Sequence, residues 1–197
     1  MPKYKELEAR LARIEQQLRL FQKISRFMVG EMSLQEVLRG IVSLVVEFTA
    51  CDCCMLYLID DGQLVLCGSN TAPEHALGRV RLAMSEGLTG WVARERRLLA
   101  ISREAYNDPR FKSFKELPED AYEAFLSAPV IARNRVVGVI NTQHRSPHVF
   151  SGEEMELLKT VGEQVGCLLL VARMDPGMVS ALSHVDLVLT GASSPAR

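Results

Sequence analysis

The 197-residue chain balances 23 Lys and Arg against 24 Asp and Glu, for a formal net charge of −1. With no basic excess to neutralise a phosphate backbone, nucleic acid is not an expected partner, and no apolar run reaches the roughly 18 residues of a membrane span, so no membrane partner is expected either. Apolar residues at 48% and charged residues at 24% suit a globular protein of one domain plus an extension.

The N-terminus, MPKYKELEARLARIEQQ, is charged throughout and has no apolar signal-peptide segment, so a cytoplasmic location is expected. Leu7, Leu11, Ile14, Leu18, Phe21 and Met28, with Ser25 at the skipped position, recur in alternating steps of four and three. That is the seam of a coiled coil, and so narrow a stripe needs a partner helix. A homodimer through residues 1–30 is therefore expected, with a single helix lying on its own domain as the alternative. After a break at Gly30, Ser33 and Glu36 form a capping box. It opens a helix whose broad apolar face is Leu34, Val37, Leu38, Ile41, Leu44, Val45 and Phe48.

Residues 54–59 and 63–69 read as strands joined by Asp61-Gly62, a strong hairpin signal. A short strand at 80–83, a helix at 88–97 and a strand at 98–102 follow. Pro109 and Pro118 interrupt the polar stretch 107–121, which reads as a loop. Strands at 124–131 and 136–143 connect through Arg133-Asn134-Arg135, where Asn tolerates positive φ. Ser151 and Glu154 make a second capping box, opening a helix to about Met174 with Leu158, Val161, Val165, Leu168, Leu169 and Ala172 as its core face. Pro176-Gly177 stops it. Met178, Leu182, Val185 and Leu189 form a weak helical stripe, and residues 191–197 are expected to be disordered. Two capped helices bracketing about six mostly antiparallel strands define an α+β domain. The expected division is a coiled-coil helix over 1–30, a domain over 31–174, and a tail over 175–197.

Chemistry is sparse in this pattern. Five cysteines are present, three of them clustered as Cys51, Cys53 and Cys54, with no second pair at zinc-ribbon spacing, so they are expected to be structural. There is no Gly-x-Ser-x-Gly turn and no helical His-Glu-x-x-His. His144 and His148 have three residues between them, which could bring both rings to a metal. Pro147 intervenes and no third ligand stands nearby, so no metal site is expected. No catalytic residue is assigned.

Four segments in order carry a resemblance: SEGLTGWVA at 85–93, DPRF at 108–111, FLSAPVIARNRVVGVINTQ at 125–143 and FSGEEMELLKTVGEQVG at 150–166. Together they resemble a GAF domain spanning about 34–174. The stretch RFKSFKELPEDAYEAFLSAPV at 110–130 is most similar in wording to the N-terminal GAF domain of the nitrogen-related phosphotransferase enzyme I. With the chain ending at Arg197, no phosphotransferase body and no phosphotransfer activity are expected. The resemblance implies a twisted antiparallel sheet of six strands, with the N- and C-terminal helices on one face and a ligand pocket on the other.

What the resemblance implies for function is a small-molecule-binding regulatory sensor in signal transduction. It would act through the dimeric coiled coil on a partner in trans, of the kinase or phosphotransferase class. The Asn-Lys, Phe, Asp-Glu pattern of cyclic-nucleotide members is missing, as is a bilin-attachment motif. Any cofactor is therefore unknown, and an organic acid or amino acid is the expected metabolite by analogy with nitrogen-linked relatives. Trp91, Phe111, Phe114, Tyr122 and Phe125 are the candidate apolar walls, and Arg110, Ser127, Asn141 and Gln143 the candidate polar contacts. Each has a plainer reading: Trp91 and Phe125 as core, Arg110 as a loop-pairing charge, Ser127 as a sheet residue, Asn141 as a turn former. Two alternatives stay open. One is a dimerisation or scaffold module with a vestigial pocket. The other is a thiol enzyme of the free methionine sulfoxide reductase type, using Cys51, Cys53 or Cys54.

Overall fold

The computed structural model describes residues 2–29, 32–112 and 122–172. Helix α1 (Pro2–Val29) precedes α2 (Leu34–Thr49), whose start is the expected capping box: the Glu36 amide donates to Ser33 Oγ, and the Ser33 amide donates to Glu36 Oε2 at 2.8 Å. Ala50, in the left-handed region at φ 50°, ends α2. Strands β1 (Cys53–Asp60) and β2 (Gln63–Ser69) form the predicted hairpin, with Asp61 and Gly62 both at positive φ. Next come β3 (Arg81–Ala83), α3 (Gly87–Glu95), β4 (Leu99–Ile101), β5 (Ala124–Ala132), β6 (Arg135–His144) and α4 (Gly152–Ala172). The β5–β6 turn places Arg133 and Asn134 at positive φ, as the Asn predicts. Single 3-10 turns at Glu74–Ala76 and Ala105–Asn107 carry no periodic signal in the sequence.

All strand pairs are antiparallel, in the order β3-β2-β1-β6-β5-β4. The last hairpin, β5–β6, is thus inserted between β1 and the edge strand β4. Alternation along β1 and β5 assigns the two faces. Cys54, Leu56, Leu58, Ala128 and Val130 point into the larger core with α2 and α4. Cys53, Met55 and Tyr57 point into a second core covered by Val92 and Ala93 of α3. The six-stranded α+β sheet with α2 and α4 on one side is therefore the expected one. Both faces are sealed by apolar side chains, each fully buried Leu or Ile contributing about 1.5–3 kcal/mol.

Helix α4 lies unusually close to β5. A Cβ on Gly162 would sit 2.9 Å from the Pro129 carbonyl oxygen, and one on Gly166 would overlap the Ile131 carbonyl. The C-terminal end of α1 docks on the same layer: Ile24 is buried and the Phe27 ring covers Gly40. Ile24 falls outside the heptad series, and Ser25, assigned to the seam, is exposed. Leu7, Leu11, Ile14 and Leu18 are more than half exposed, and Phe21 is 37% exposed. These five positions of the predicted stripe thus lie on an open helix face. Met178, Leu182, Val185 and Leu189 lie outside the described residues.

Candidate functional site

Helix α3 is the element that organises the site. Its first residue, Gly87, has φ 68°, a conformation that disfavours other residues. Gly90 brings the helix onto the preceding turn, where a Cβ would meet the Ala83 and Met84 carbonyl oxygens at 2.9 Å. Glu86 closes that turn by accepting the Ala83 amide at 2.9 Å. Between the start of α3 and the segment 109–112 opens a cleft of about 400 Å³, with Trp91, Arg94, Arg110, Phe111 and Lys112 among its walls.

Electrostatics in the cleft are largely paired. Asp108 accepts from Arg110 Nε at 2.8 Å and Nη2 at 2.7 Å, and also from the Arg110 amide. This fork holds the Asp108 carboxyl below its ordinary pKa and raises that of Arg110. The guanidinium then sits 4.9 Å from the centre of the Trp91 ring, a cation–π contact. Lys112 Nζ lies 2.8 Å from Glu86 Oε1, and this hydrogen bond lowers the Glu86 pKa. The result is a rim in which two aromatic rings are flanked by prearranged ion pairs.

The residues singled out from sequence divide between two levels. Trp91, Arg110 and Phe111 converge on the cleft. Tyr122, Phe125, Ser127, Asn141 and Gln143 are buried on the α3 side of the sheet. Phe114 lies outside the described residues. Ser127 Oγ donates to Asn141 Oδ1 at 2.6 Å, and Asn141 Nδ2 donates to Thr89 Oγ1 on α3 at 2.9 Å. Asn141 is therefore a mid-strand residue rather than a turn former, and it ties α3 to the sheet. Phe125 packs with Leu88 and Ala105, and Phe111 leans against that cluster from the cleft side. Ser85, Glu86, Arg94 and Lys112 also line the cleft. Their only sequence signal is the Ser-Glu-Gly lead into a helix, since charged residues near a loop look alike whether or not they share a cleft.

On the opposite face, at the end of β6, the chain assembles a group of which the sequence shows only the His144 and His148 pair. The His144 and His148 rings stack at 4.1 Å, with Phe150 against both. His148 Nε2 lies 2.6 Å from Glu154 Oε1. The expectation that no third potential ligand stands near the two histidines is thus corrected. The 145–150 turn folds back, with the His148 amide donating to Ser102 O, and delivers Glu154 from the first turn of α4.

Cys51, Cys53, Cys54 and Cys67 sit in the cores. Burial pushes the Cys51 thiol up to about 11 and Cys67 up to about 12, and raises Cys54 well above its ordinary value. Among the described cysteines only Cys167 is exposed.

An antiparallel six-stranded sheet, two long helices on one face, and a short helix bordering a cleft on the other define an α+β domain of the sensor type. The GAF domain profile matches residues 31–169, and the chain belongs to the GAF domain family. Solved relatives agree. The GAF domain from a phosphoenolpyruvate-protein phosphotransferase of Coxiella burnetii is 26% identical, with a TM-score of 0.74 over 81% of this chain and 96% of that one. The corresponding domain from Acinetobacter is also 26% identical, with a TM-score of 0.72 over 80% and 95%. A free methionine-R-sulfoxide reductase from Neisseria meningitidis, solved with its substrate, shares the fold at 16% identity, with a TM-score of 0.66 over 79% and 88%. No curated protein sequence matches the chain. No described helix is long and apolar enough to cross a membrane.

Proposed function

We propose that this GAF domain is a regulatory sensor whose cleft beside α3 binds a small organic acid or amino acid. The supporting observation is the convergence of Trp91, Arg110 and Phe111 on one cleft of about 400 Å³, the lower range of small-molecule sites. Arg94, Arg110 and Lys112 supply cations for a carboxylate, and the rings supply the apolar wall. Ligand binding would compete with Asp108 for Arg110 and shift the 108–112 segment relative to α3. Asn141 and Thr89 would carry that shift to β6, and α2 and α4 on the far face would pass it to α1. A ligand moves such an equilibrium only by its difference in affinity between the two states. The open stripe Leu7, Leu11, Ile14 and Leu18 supports a parallel homodimer through α1 as the output element. A kinase or phosphotransferase in trans is the proposed partner, by analogy with the two phosphotransferase GAF domains.

Trp91 is the single tryptophan of the chain, so its fluorescence reports the cleft directly. Titration with a panel of dicarboxylic acids and amino acids should give a saturable change with at least one of them, lost in Arg110→Ala. No change across the panel in a folded, dimeric sample would sink the sensor reading.

One observation favours a second reading, the scaffold with a vestigial pocket: Arg110 is already doubly paired and the sheet-face polar groups close on one another. Deleting residues 1–20, which spares the docked Ile24 and Phe27, separates the two, since a sensor keeps its ligand and a scaffold loses its assembly. Thiolate chemistry has less support, because burial holds Cys51, Cys54 and Cys67 protonated at neutral pH.

A further inference from the structure

We infer that His144, His148 and Glu154 form a binding site for a divalent transition-metal ion, Zn²⁺ being the best match. One ligand-type atom from each residue lies within 4.8 Å of the other two. His144 is 93% buried by its 7% exposure, and its Nε2 has no hydrogen-bond partner. A buried ring nitrogen left without a partner costs stability, which coordination would recover. Two imidazoles and one carboxylate are the donor set that zinc accepts while keeping a fourth position for water, and imidazole nitrogen favours zinc, cobalt or nickel over magnesium.

Glu154 Oε2 accepts the Ser151 amide at 2.8 Å, so the capping box orients the carboxylate and leaves Oε1 to the ion. The imidazoles stack at 15°, an arrangement in which their in-plane lone pairs do not converge. Binding therefore turns His148, whose side chain is one-third exposed, out of the stack and exchanges its 2.6 Å contact with Glu154 for two metal bonds. His144 remains the fixed ligand against Phe150.

The site joins the end of β6 to the first turn of α4, on the sheet face opposite the cleft. An ion there would cross-link the strand that carries Asn141 to a helix of the output layer. It would stabilise the domain and bias that layer without occupying the cleft.

The test uses the full chain, treated with chelator and titrated with Zn²⁺, Co²⁺ and Mg²⁺ under reducing conditions. Expected are uptake of one Zn²⁺ per chain, a raised melting temperature, no Mg²⁺ effect, and a tetrahedral Co²⁺ visible spectrum without a sulfur-to-cobalt charge-transfer band. His148→Ala and Glu154→Gln, both at partly exposed positions, should each weaken Zn²⁺ binding by about 100-fold or more. Gln retains an oxygen for the Ser151 amide, so α4 still starts normally. Cys167→Ser should change nothing. A charge-transfer band would assign the ion to cysteine instead and overturn the inference, as would undiminished binding in both variants or no thermal shift with Zn²⁺. A charge-transfer band in the wild-type cobalt spectrum overturns the inference even if a variant fails to fold.

Discussion

Replacing Asn141 by Ala tests whether the buried polar bridge under α3 is structural. Asn141 is 1% exposed and Ser127 is fully buried. The substitution leaves the Ser127 and Thr89 hydroxyls without their 2.6 Å and 2.9 Å partners. Each stranded buried hydroxyl costs about 1–3 kcal/mol. The expected loss is on the order of 3 kcal/mol, a large fraction of the about 5–15 kcal/mol that holds a domain together. Urea unfolding at 25 °C, followed by circular dichroism, gives the value from the midpoint at unchanged slope. Ser127→Ala alone strands only one acceptor and should cost less. The Asn141→Ala, Ser127→Ala cycle should show positive coupling of about 1 kcal/mol. A loss in Asn141→Ala below about 0.5 kcal/mol would refute the bridge. Unchanged stability together with lost ligand affinity would instead make Asn141 a ligand contact.

Further expectations follow from other parts of the molecule. Gly166→Ala gains about 1 kcal/mol of helix propensity but drives a methyl into the Ile131 carbonyl, a backbone atom that cannot rotate away; overpacking of about 1–3 kcal/mol should win, lowering the melting temperature. Gly152→Ala, with open space around it, should be neutral or slightly stabilising in the same assay. The buried thiols predict alkaline loss of stability. The Cys67 pKa is raised from 9.0 to about 12, so the unfolded chain releases its proton first as pH climbs. Stability is therefore full below about pH 9 and falls by about 1.4 kcal/mol per pH unit above it, until the folded thiol also titrates. Cys67→Val should flatten that decline in denaturant midpoints measured from pH 8 to 10. Leu11→Glu with Leu18→Glu should convert a dimer to a monomer by light scattering without lowering the domain's melting temperature, since both side chains are more than half exposed.

Periodicity and capping, which act over a few residues, were enough to establish the elements of this protein. Ser33 with Glu36, Ser151 with Glu154, Asp61-Gly62 and Asn134 each specify a local backbone state, and each is found where the residue types require it. The order of four segments was enough to indicate the GAF family. Contacts between segments distant in sequence were not legible in the same way. Alternation shows that Ser127 and Ala128 face opposite sides, but only the packing of Val92, Ala93 and Thr89 of α3 shows which side is covered by that helix. Asn141 reads as a candidate ligand contact, or more plainly as a turn former, until the register pairs it with Ser127 across β5 and β6. Ile24 escapes a heptad count because it packs on its own domain, while the heptad leucines remain open.

Sequence alone thus determined the class of domain, its helix starts and its hairpins, because those depend on backbone preferences and on period. Tertiary structure decided which charges share a cleft. It paired Arg110 with Asp108 over Trp91, and it brought Glu154 to His144 and His148 across a turn. Such meetings depend on where a turn redirects the chain, and no residue spacing encodes that.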